Sequence, residues 1–552
     1  GFDPGGLPSA LDSESEKLLA KIDYYFSDNT RAVFTYNSSD GFTNQPSDAS
    51  PTEFEFANHF YKRGNDSESI MLQVFSTIGN VNTQFKYGTT ELKNTQVGLG
   101  GPFGDFQISG VGGGKVYFGG TDDSRQNNKL NYDATNIALI GDYQMDNSLF
   151  TFGYEHQENT MFNMFMPESI GGEWDFYSID DLEAGNVALD FQNTVTLVPE
   201  DASKEWTYDV TTLFIQNEVA VSDNLDFTYG VRYEKYGVDE GPLENPDFVS
   251  TYGFSNAATF DGAEAIMPRI SFSYRVNDTE FYGGFGVFSG GNPAVWFSNN
   301  YSNNGITIQD GDGRYSLFDG TVTYCDVTNG GPAADPRPGY AIPCAAIAQV
   351  QEGGASGDTN SFDPDLNMPT HKKLSVGMKK QIGEYDVSLD FMRSRNNDPF
   401  YVYNLANTVS GYTNTGHAVM TSNGREGDYN LANSKYSPMT TVISAIASRS
   451  FDNDVDVTFG YSYTNANDVH PMASSVAYTN ANENLVTTNP NDPQPARSDW
   501  EIEHRFTTTV NFAASEKTDI SLFFQYESGN PYSLSAYGNW TELGIQPGWR
   551  TE

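Results

Sequence analysis

The sequence has little cysteine, little basic charge and no long apolar run. Two cysteines occur in 552 residues, and 30 lysines and arginines stand against 73 aspartates and glutamates, for a formal net charge of −43. Phosphate binding needs clustered lysine and arginine, so nucleic acid is not an expected partner. The acidity favours a solvated surface in a salty environment, cations or cationic ligands.

Because no run of 18 or more apolar residues occurs, an ordinary transmembrane helix is excluded. A membrane β-strand is not excluded, since it needs only about 9–11 residues and is apolar on one face. The mean hydropathy of −0.51 is compatible with a soluble or a membrane β-protein.

Aromatic residues are abundant, at 14%, and they recur with a period of two. In VDVTFGYSY (455–463) the valines, the phenylalanine and the tyrosines fall on one side of an extended chain, and Asp456, Thr458, Gly460 and Ser462 fall on the other. Similar alternation at 225–234, 385–392 and 520–527 predicts an almost entirely β chain.

The connections between the predicted strands alternate in length. Tight polar turns, such as Met145-Asp146-Asn147 and Ser222-Asp223-Asn224, join pairs of strands. Long polar segments follow each pair, at 237–265, 289–371, 394–439 and 464–503. This pattern is typical of bacterial outer-membrane barrels. It predicts an antiparallel transmembrane outer-membrane β-barrel with short periplasmic turns and long extracellular loops. Val455, Val457 and Phe459 would then face hydrocarbon.

The largest extracellular loop, 289–371, contains both cysteines, Cys325 and Cys344. A loop on the cell surface has passed through an oxidising periplasm, so we expect these two residues to form a disulfide.

The same loop carries weak candidates for metal and ligand binding. DGDGR (310–314) resembles part of a calcium loop through Asp310 and Asp312, but it lacks the third acidic position and the bidentate glutamate, so a solvated loop is favoured over calcium. Trp296, Tyr301 and Arg314 are weak ligand candidates, and for the two aromatic residues loop packing is favoured over ligand contact. Calcium between the loops is the one cofactor hypothesis.

Residues of catalytic or compact metal sites are not grouped in the sequence. The six histidines form no close pair, and no nucleophile elbow, phosphate loop or dinucleotide fingerprint occurs. We therefore expect no enzymatic activity.

Residues 267–305, MPRISFSYRVNDTEFYGGFGVFSGGNPAVWFSNNYSNNG, resemble the barrel of TonB-dependent receptors of the Oar-like type. The opening SEKLLAKIDYYFSDNTRAVFTYN and the late FQYESGNPYS are similar to the first hairpin and a late strand of that family. The resemblance implies a barrel of about 22 strands in the full protein, filled by an N-terminal plug. It also implies a receptor that binds its ligand through extracellular loops and imports it with energy passed through TonB.

No plug and no TonB box are recognisable in this chain. We therefore expect residues 1–552 to be the barrel portion of a longer protein, lacking the plug and the last strands. The implied partners are outer-membrane lipid and lipopolysaccharide, the TonB complex through the missing plug, and an unknown ligand. The implied location is the outer membrane of a Gram-negative bacterium. Two alternatives stay open: a non-transporting surface barrel for adhesion, secretion or envelope assembly, and a soluble secreted acidic β-sheet binding protein.

Overall fold

One antiparallel sheet dominates the molecule. The structure, a computed structural model, describes residues 3–7, 10–291, 294–354, 358–413, 416–425, 427–452, 454–532 and 549–550. The sheet has seventeen strands, of which Ala496–Arg497 has only two residues and pairs with the loop end of a longer strand. The other sixteen are β1 (Ser13–Ser27), β2 (Thr30–Gln45), β3 (Tyr61–Ile78), β4 (Val81–Gly98), β5 (Asn128–Met145), β6 (Ser148–Phe165), β7 (Trp206–Ser222), β8 (Leu225–Val238), β9 (Glu264–Val276), β10 (Thr279–Ser289), β11 (Thr370–Ile382), β12 (Tyr385–Asn397), β13 (Met439–Phe451), β14 (Val455–Asp468), β15 (His504–Ser515) and β16 (Thr518–Glu527).

Each long strand pairs with the next one in chain order, so the sheet is a continuous up-and-down meander. Tight turns close one rim, and Asp146 and Asn277 adopt positive φ angles of 50° and 51° there, which asparagine and aspartate tolerate. The long connections all lie at the other rim, at 46–60, 99–127, 166–205, 239–263, 290–369, 398–438 and 469–503. The predicted separation of short turns from long loops is confirmed.

The two faces of the sheet differ in polarity. On one face Val457 of β14 lies opposite Val510 of β15, which lies opposite Leu522 of β16. One position along on β14, Asp456 lies opposite Asn511 on the other face. The same separation runs across the sheet, so a band of exposed apolar side chains covers one face. The band includes Leu213, Ile215, Val231, Ile270, Phe285, Leu374, Val376, Leu389, Ile443, Phe459 and Phe524.

The first and last long strands do not pair with each other within the described residues, so the sheet is not closed there. Residues 533–548, just after β16, lie outside the described part of the chain. The count of about 22 strands for the full protein stays a prediction.

Helices are short and lie in the long connections. They are α1 (Ile179–Ala184), α2 (Pro246–Tyr252), α3 (Ala294–Ser302), α4 (Cys344–Glu352) and α5 (Ala477–Asn482), with 3-10 turns at Ala57–His59, Asp123–Arg125 and Pro199–Ala202. Within the described ranges, none is long and apolar enough to cross a bilayer. The expectation of an almost entirely β chain is confirmed.

Four of the long connections build a second sheet, which we call the loop sheet. Its six strands are, in spatial order, Gly313–Ser316, Asn186–Asp190, Glu173–Phe176, Asp105–Val111, Gly114–Gly119 and Glu53–Glu55. Trp174 is fully buried beneath it and stacks on Phe106 at a ring separation of 5.4 Å. Leu189, Ile342 and Ile347 complete this core, so the loops have an apolar interior of their own.

The remaining short strands form small sheets of two or three strands. They are Gln192–Thr194 with Ile308–Asp310, Tyr324–Cys325 with Ile342–Pro343, Thr359–Phe362 and Phe400–Asn404 with Asp428–Asn433, Asn407–Tyr412 with Ala418–Ser422, and Val486–Thr487 with Trp549–Arg550.

Placing a charge in the apolar band should prevent stable insertion into a membrane. Ile443 lies in that band with 47% exposure, and Ser444 points to the opposite face. We expect Ile443→Arg to destabilise the folded protein in bilayers by about 2–4 kcal/mol, because arginine in the hydrocarbon region loses its hydration. Denaturant titration in lipid vesicles measures this. Ser444→Arg is the matched control, and equal destabilisation by both variants would contradict the assignment of the faces.

Candidate functional site

A cavity of about 650 Å³ lies where the long loops meet the upper ends of β11, β12, β13 and β14. Its walls combine strand residues such as His371 and Lys373 with loop residues such as Trp296, Phe400 and His470. Leu374 and Val376 belong to the outer apolar band, so strand alternation points His371 and Lys373 to the inner face. A mixed aromatic and polar lining of this size is typical of a small-molecule site.

Basic and aromatic groups meet beside this cavity. Lys373 Nζ lies 5.5 Å from the centre of the Phe288 ring, and the Arg269 guanidinium lies 4.5 Å from the same ring. The three side chains come from β9, β10 and β11, which are neighbours in the sheet. In a chain with a formal net charge of −43, this local concentration of cations favours an anionic ligand.

The two predicted aromatic candidates lie on α3 but differ in their surroundings. Trp296 lines the cavity, and its Nε1 donates a hydrogen bond to the Ser474 carbonyl at 2.8 Å. Tyr301 is only 2% exposed, stacks on Trp206 at 4.6 Å, and donates from its hydroxyl to the Glu240 carbonyl. Tyr301 thus packs the interior, as the packing interpretation expected, and only Trp296 faces the cavity.

Arg314 lies in the loop sheet, outside the lining of this cavity. Its guanidinium stands 5.0 Å above the Tyr177 ring, an arrangement that stabilises the loop itself. A role for Arg314 in ligand binding stays a prediction.

Cys325 and Cys344 form a disulfide, as expected from the sequence. It links a two-residue strand to the first residue of α4, across 19 positions in sequence. Ile347 and Val350 of α4 are buried in the core of the loop sheet. The disulfide therefore holds one edge of the largest loop against this core; it does not close the whole of 289–371.

Removing the disulfide should loosen this part of the loop without unfolding the barrel. For a closed loop of this length the chain-entropy model gives about 3 kcal/mol. We expect Cys325→Ser with Cys344→Ser to increase hydrogen exchange at the amides of residues 325–352, while the amides of β14 keep their protection. Unchanged exchange in 325–352 would contradict a stabilising role for the disulfide.

Of the calcium candidates, Asp310 ends the short strand Ile308–Asp310, and Asp312 directly precedes the loop-sheet strand Gly313–Ser316. Asp312 Oδ1 accepts a hydrogen bond from the Phe191 amide at 3.1 Å, so it joins two chain segments. Burial, then the neighbouring Asp312 carboxylate, raises the pKa of Asp190 to about 6. Neither candidate belongs to the groups of three metal-binding side chains found within the described ranges. Calcium at Asp310 and Asp312 stays a prediction.

A more concentrated group of ligands surrounds His59, and we call it the acidic centre: His59, Glu55, Asp48, Asp105 and Asp122. The His59 ring is 1% exposed, and its Nδ1 lies 2.7 Å from Glu55 Oε2. Its Nε2 lies 3.2 Å from Asp105 Oδ2, 3.9 Å from Asp48 Oδ2 and 4.0 Å from Asp122 Oδ2. Both ring nitrogens therefore face carboxylates.

Glycines allow the backbone to assemble this centre. Gly104 precedes Asp105, and Gly120 lies two residues before Asp122. A side chain at Gly120 would overlap the Gly104 carbonyl, and Gly120 also has a φ of +82°, which favours glycine. The two ends of the Asp105–Gly119 hairpin can thus approach each other, and they bring both aspartates to His59.

Burial and charge pairing have opposite effects on the pKa values in the acidic centre. Burial lowers the pKa of His59, but the Asp105 carboxylate, with Glu55 and Asp122, outweighs it and raises that pKa to about 11. Burial also raises the pKa of Asp105 to about 6 and, together with Asp123 and Asp48, that of Asp122 to about 9. Acidic groups therefore outnumber basic groups around His59.

A second acidic group adjoins the first. One carboxylate oxygen from each of Asp123, Glu168 and Glu173 lies within 4.8 Å of the others. Burial, then repulsion from Asp123, raises the pKa of Glu168 well above its usual value and that of Glu173 to about 10. These residues come from two different loops, 99–127 and 166–205.

Sequence reasoning missed the acidic centre because its ligands are far apart in the chain. A search for paired histidines finds nothing near His59. The only local signals are Glu55 four residues before His59 and the adjacent pair Asp122-Asp123.

The second acidic group should make the loop sheet sensitive to pH. Since the pKa of Glu173 is about 10 when folded and 4.5 in its ordinary state, the folded chain retains a proton that the unfolded chain releases. Stability therefore falls as pH rises between these two values. With a chelator present, we expect Glu173→Gln to protect the amides of Glu173–Phe176 from hydrogen exchange more than wild type does at about pH 8, and equally at about pH 4. Glu183→Gln, at an exposed position of α1, is the control; equal protection of E173Q and wild type at the higher pH would contradict the expectation.

The meander, its apolar outer band and its single rim of long loops define the chain as an outer-membrane β-barrel wall. Residues 7–536 match the family model described as an outer membrane beta barrel domain. The chain belongs to this family. It lies in the outer membrane of a Gram-negative bacterium, which excludes the soluble secreted alternative.

Solved structures with the same fold are outer-membrane transporters and receptors. The transporter YddB from Escherichia coli superposes with a TM-score of 0.56 at 11% identity, over 94% of this chain and 57% of that one. The siderophore receptor PirA from Acinetobacter baumannii superposes with a TM-score of 0.55 at 12% identity, over 98% of this chain and 62% of the receptor. The FrpB iron transporter from Neisseria meningitidis superposes with a TM-score of 0.52 at 12% identity, over 94% of this chain and 61% of the transporter. This chain spans less than two thirds of each, and no curated protein matches it in sequence.

Proposed function

We propose that this chain forms the wall and the ligand-binding loops of a TonB-dependent receptor that imports an anionic metal chelate. The similarity to a siderophore receptor and an iron transporter supports the class of ligand. The resemblance of residues 267–305 to Oar-like receptors supports the use of TonB. The Oar-like type remains part of this proposal.

The observation that carries the proposal is the cavity under the long loops. It stands at the loop end of the inner face, where a ligand arriving from outside meets the barrel. Lys373 lines it, and both Lys373 and Arg269 lie against the ring of Phe288. Ferric chelates of carboxylate or catecholate ligands are anionic and often carry rings, so a cation beside an aromatic surface matches both properties.

The experiment compares iron uptake by strains that differ at one position. The host receives radioactive Fe(III) equilibrated with clarified medium in which the same host has grown under iron limitation. We expect deletion of the gene, or depletion of TonB, to lower cell-associated iron to the same residual level. Lys373→Met should lower the initial uptake rate about fivefold, the equivalent of about 1 kcal/mol of lost charge pairing.

Lys372→Met is the matched control, because Lys372 precedes Lys373 on β11 and points to the opposite face. It should leave uptake unchanged. Normal uptake in the deletion strain would overturn the proposal for iron chelates. Binding of the iron to cells without TonB-dependent entry would instead favour the non-transporting surface barrel.

A further inference from the structure

The surroundings of His59 are those of a metal ligand more than of an ordinary buried histidine. Its imidazole is enclosed, with Tyr117 stacked on one side at a ring separation of 4.4 Å. One ring nitrogen has a single carboxylate partner, and the other faces three carboxylate oxygens. A single proton on Nε2 can serve only one of these three acceptors well, whereas a cation among them serves all.

We propose that His59, Asp48, Asp105 and Asp122 bind one divalent first-row transition-metal ion, of the class of Zn²⁺, Mn²⁺ or Fe²⁺, which holds the first two long loops together. This inference does not depend on the proposed import function. It concerns an ion resident in the loops at 46–60 and 99–127, whereas the chelate cavity is lined by residues from 290 onward.

The distances already approach those of a coordination sphere. Tetrahedral metal–ligand bonds of about 2.0–2.2 Å place neighbouring ligand atoms about 3.4 Å apart. The three oxygens stand 3.2, 3.9 and 4.0 Å from Nε2, and the ligand atoms of Asp48, His59 and Asp122 all lie within 4.8 Å of one another. The carboxylate side chains would rotate inward by about 1 Å or more to complete the sphere.

Glu55 supplies the support that a metal-binding histidine requires. Its Oε2 accepts a hydrogen bond from Nδ1 of His59 at 2.7 Å, which directs Nε2 towards the metal position. Glu55 is itself held by the backbone amides of Ser47 and Ala49, at 3.1 and 3.0 Å. The histidine tautomer and the ring orientation are thus set before any metal arrives.

One buried oxygen at the centre also lacks a hydrogen-bond donor. Asp105 is 1% exposed, and among the described residues no hydrogen-bond donor reaches its Oδ1. A buried carboxylate oxygen without a donor is costly. A metal ion bound by the Asp105 carboxylate would lower that cost by drawing electron density from the group.

The charge balance gives the same result. The acidic centre and the adjoining Asp123, Glu168 and Glu173 together contain seven carboxylates. The cations seen among them are His59 and Arg125, whose Nε lies 3.5 Å from Asp122 Oδ1. A divalent ion would supply positive charge to a group of buried carboxyls that has few basic partners of its own.

The donor set determines the class of ion. Calcium takes six to eight oxygens and rarely a nitrogen, and Cu(I) prefers sulfur. One imidazole with carboxylates suits zinc, manganese and ferrous iron. Asp48 is 36% exposed while the other ligands are buried, so the ion can enter past this residue.

Binding of Co²⁺, a spectroscopic probe for such sites, provides the test. The protein purified in detergent is treated with a chelator, dialysed and titrated with Co²⁺. We expect a visible absorption band that saturates at one equivalent, is removed by Zn²⁺ and is insensitive to excess Ca²⁺. Binding should also release protons, because a metal displaces the proton from His59 Nε2; calorimetry in buffers of different ionisation enthalpy measures this.

Variants assign the ligands. His59→Gln should abolish the band, and Glu55→Gln should weaken binding about 10–100-fold through the lost support. Asp48→Asn, at the partly exposed position, should weaken binding about tenfold without disturbing the fold. If His59→Gln does not fold, this second variant tests whether the centre binds the metal. His156→Gln is the matched control, because His156 also has a carboxylate nearby, Asp209 at 3.9 Å, but among the described residues it belongs to no group of three metal-binding side chains.

A band that does not saturate at one equivalent would overturn the proposal. So would a folded His59→Gln, or Asp48→Asn, that binds Co²⁺ as wild type does. In either case His59 would be a protonated ion-pair partner of its carboxylates and the loops would be joined without a metal.

Discussion

Backbone hydrogen bonding in the absence of water is the constraint on which this structure depends. A strand in hydrocarbon must pair every amide and carbonyl with a neighbouring strand, so the wall is an unbroken antiparallel ladder from β1 to β16. The pairing fixes the register, and register fixes the face of each side chain. Because of this register, Val457, Val510 and Leu522 share the lipid face. Lys373 reaches the inner face by the same alternation.

Above the membrane the constraint changes, because water can satisfy the backbone and the loops must fold by burying apolar surface. The loop sheet does so around Trp174 and Phe106, which belong to neighbouring strands from different connections and stack on each other. This packing encloses charged residues that the outer surface would have hydrated. The acidic centre around His59 is the result: carboxylates drawn from two loops into an interior in which they need hydrogen bonds, protons or a cation.

Much of the wall could be predicted from local patterns. A period of two, short polar turns and long polar connections are each visible over a few residues, and the structure keeps them in the same places, as at β14 and at the 290–369 connection. The disulfide could be predicted because the chain has only two cysteines. The different positions of Trp296 and Tyr301 could not, since both lie on one short helix and only the surrounding loops decide which ring is covered.

The sequence by itself determined the β class, the two faces of the wall, the rim that carries the loops and the cysteine pair, because these depend on neighbours in the chain and on solvent. Only the tertiary structure decided that Glu55, His59, Asp105 and Asp122 meet. Their meeting requires close backbone approach at Gly104 and Gly120 and the pairing of strands from separate loops. Contacts of that kind have no local period, so no window along the sequence contains them.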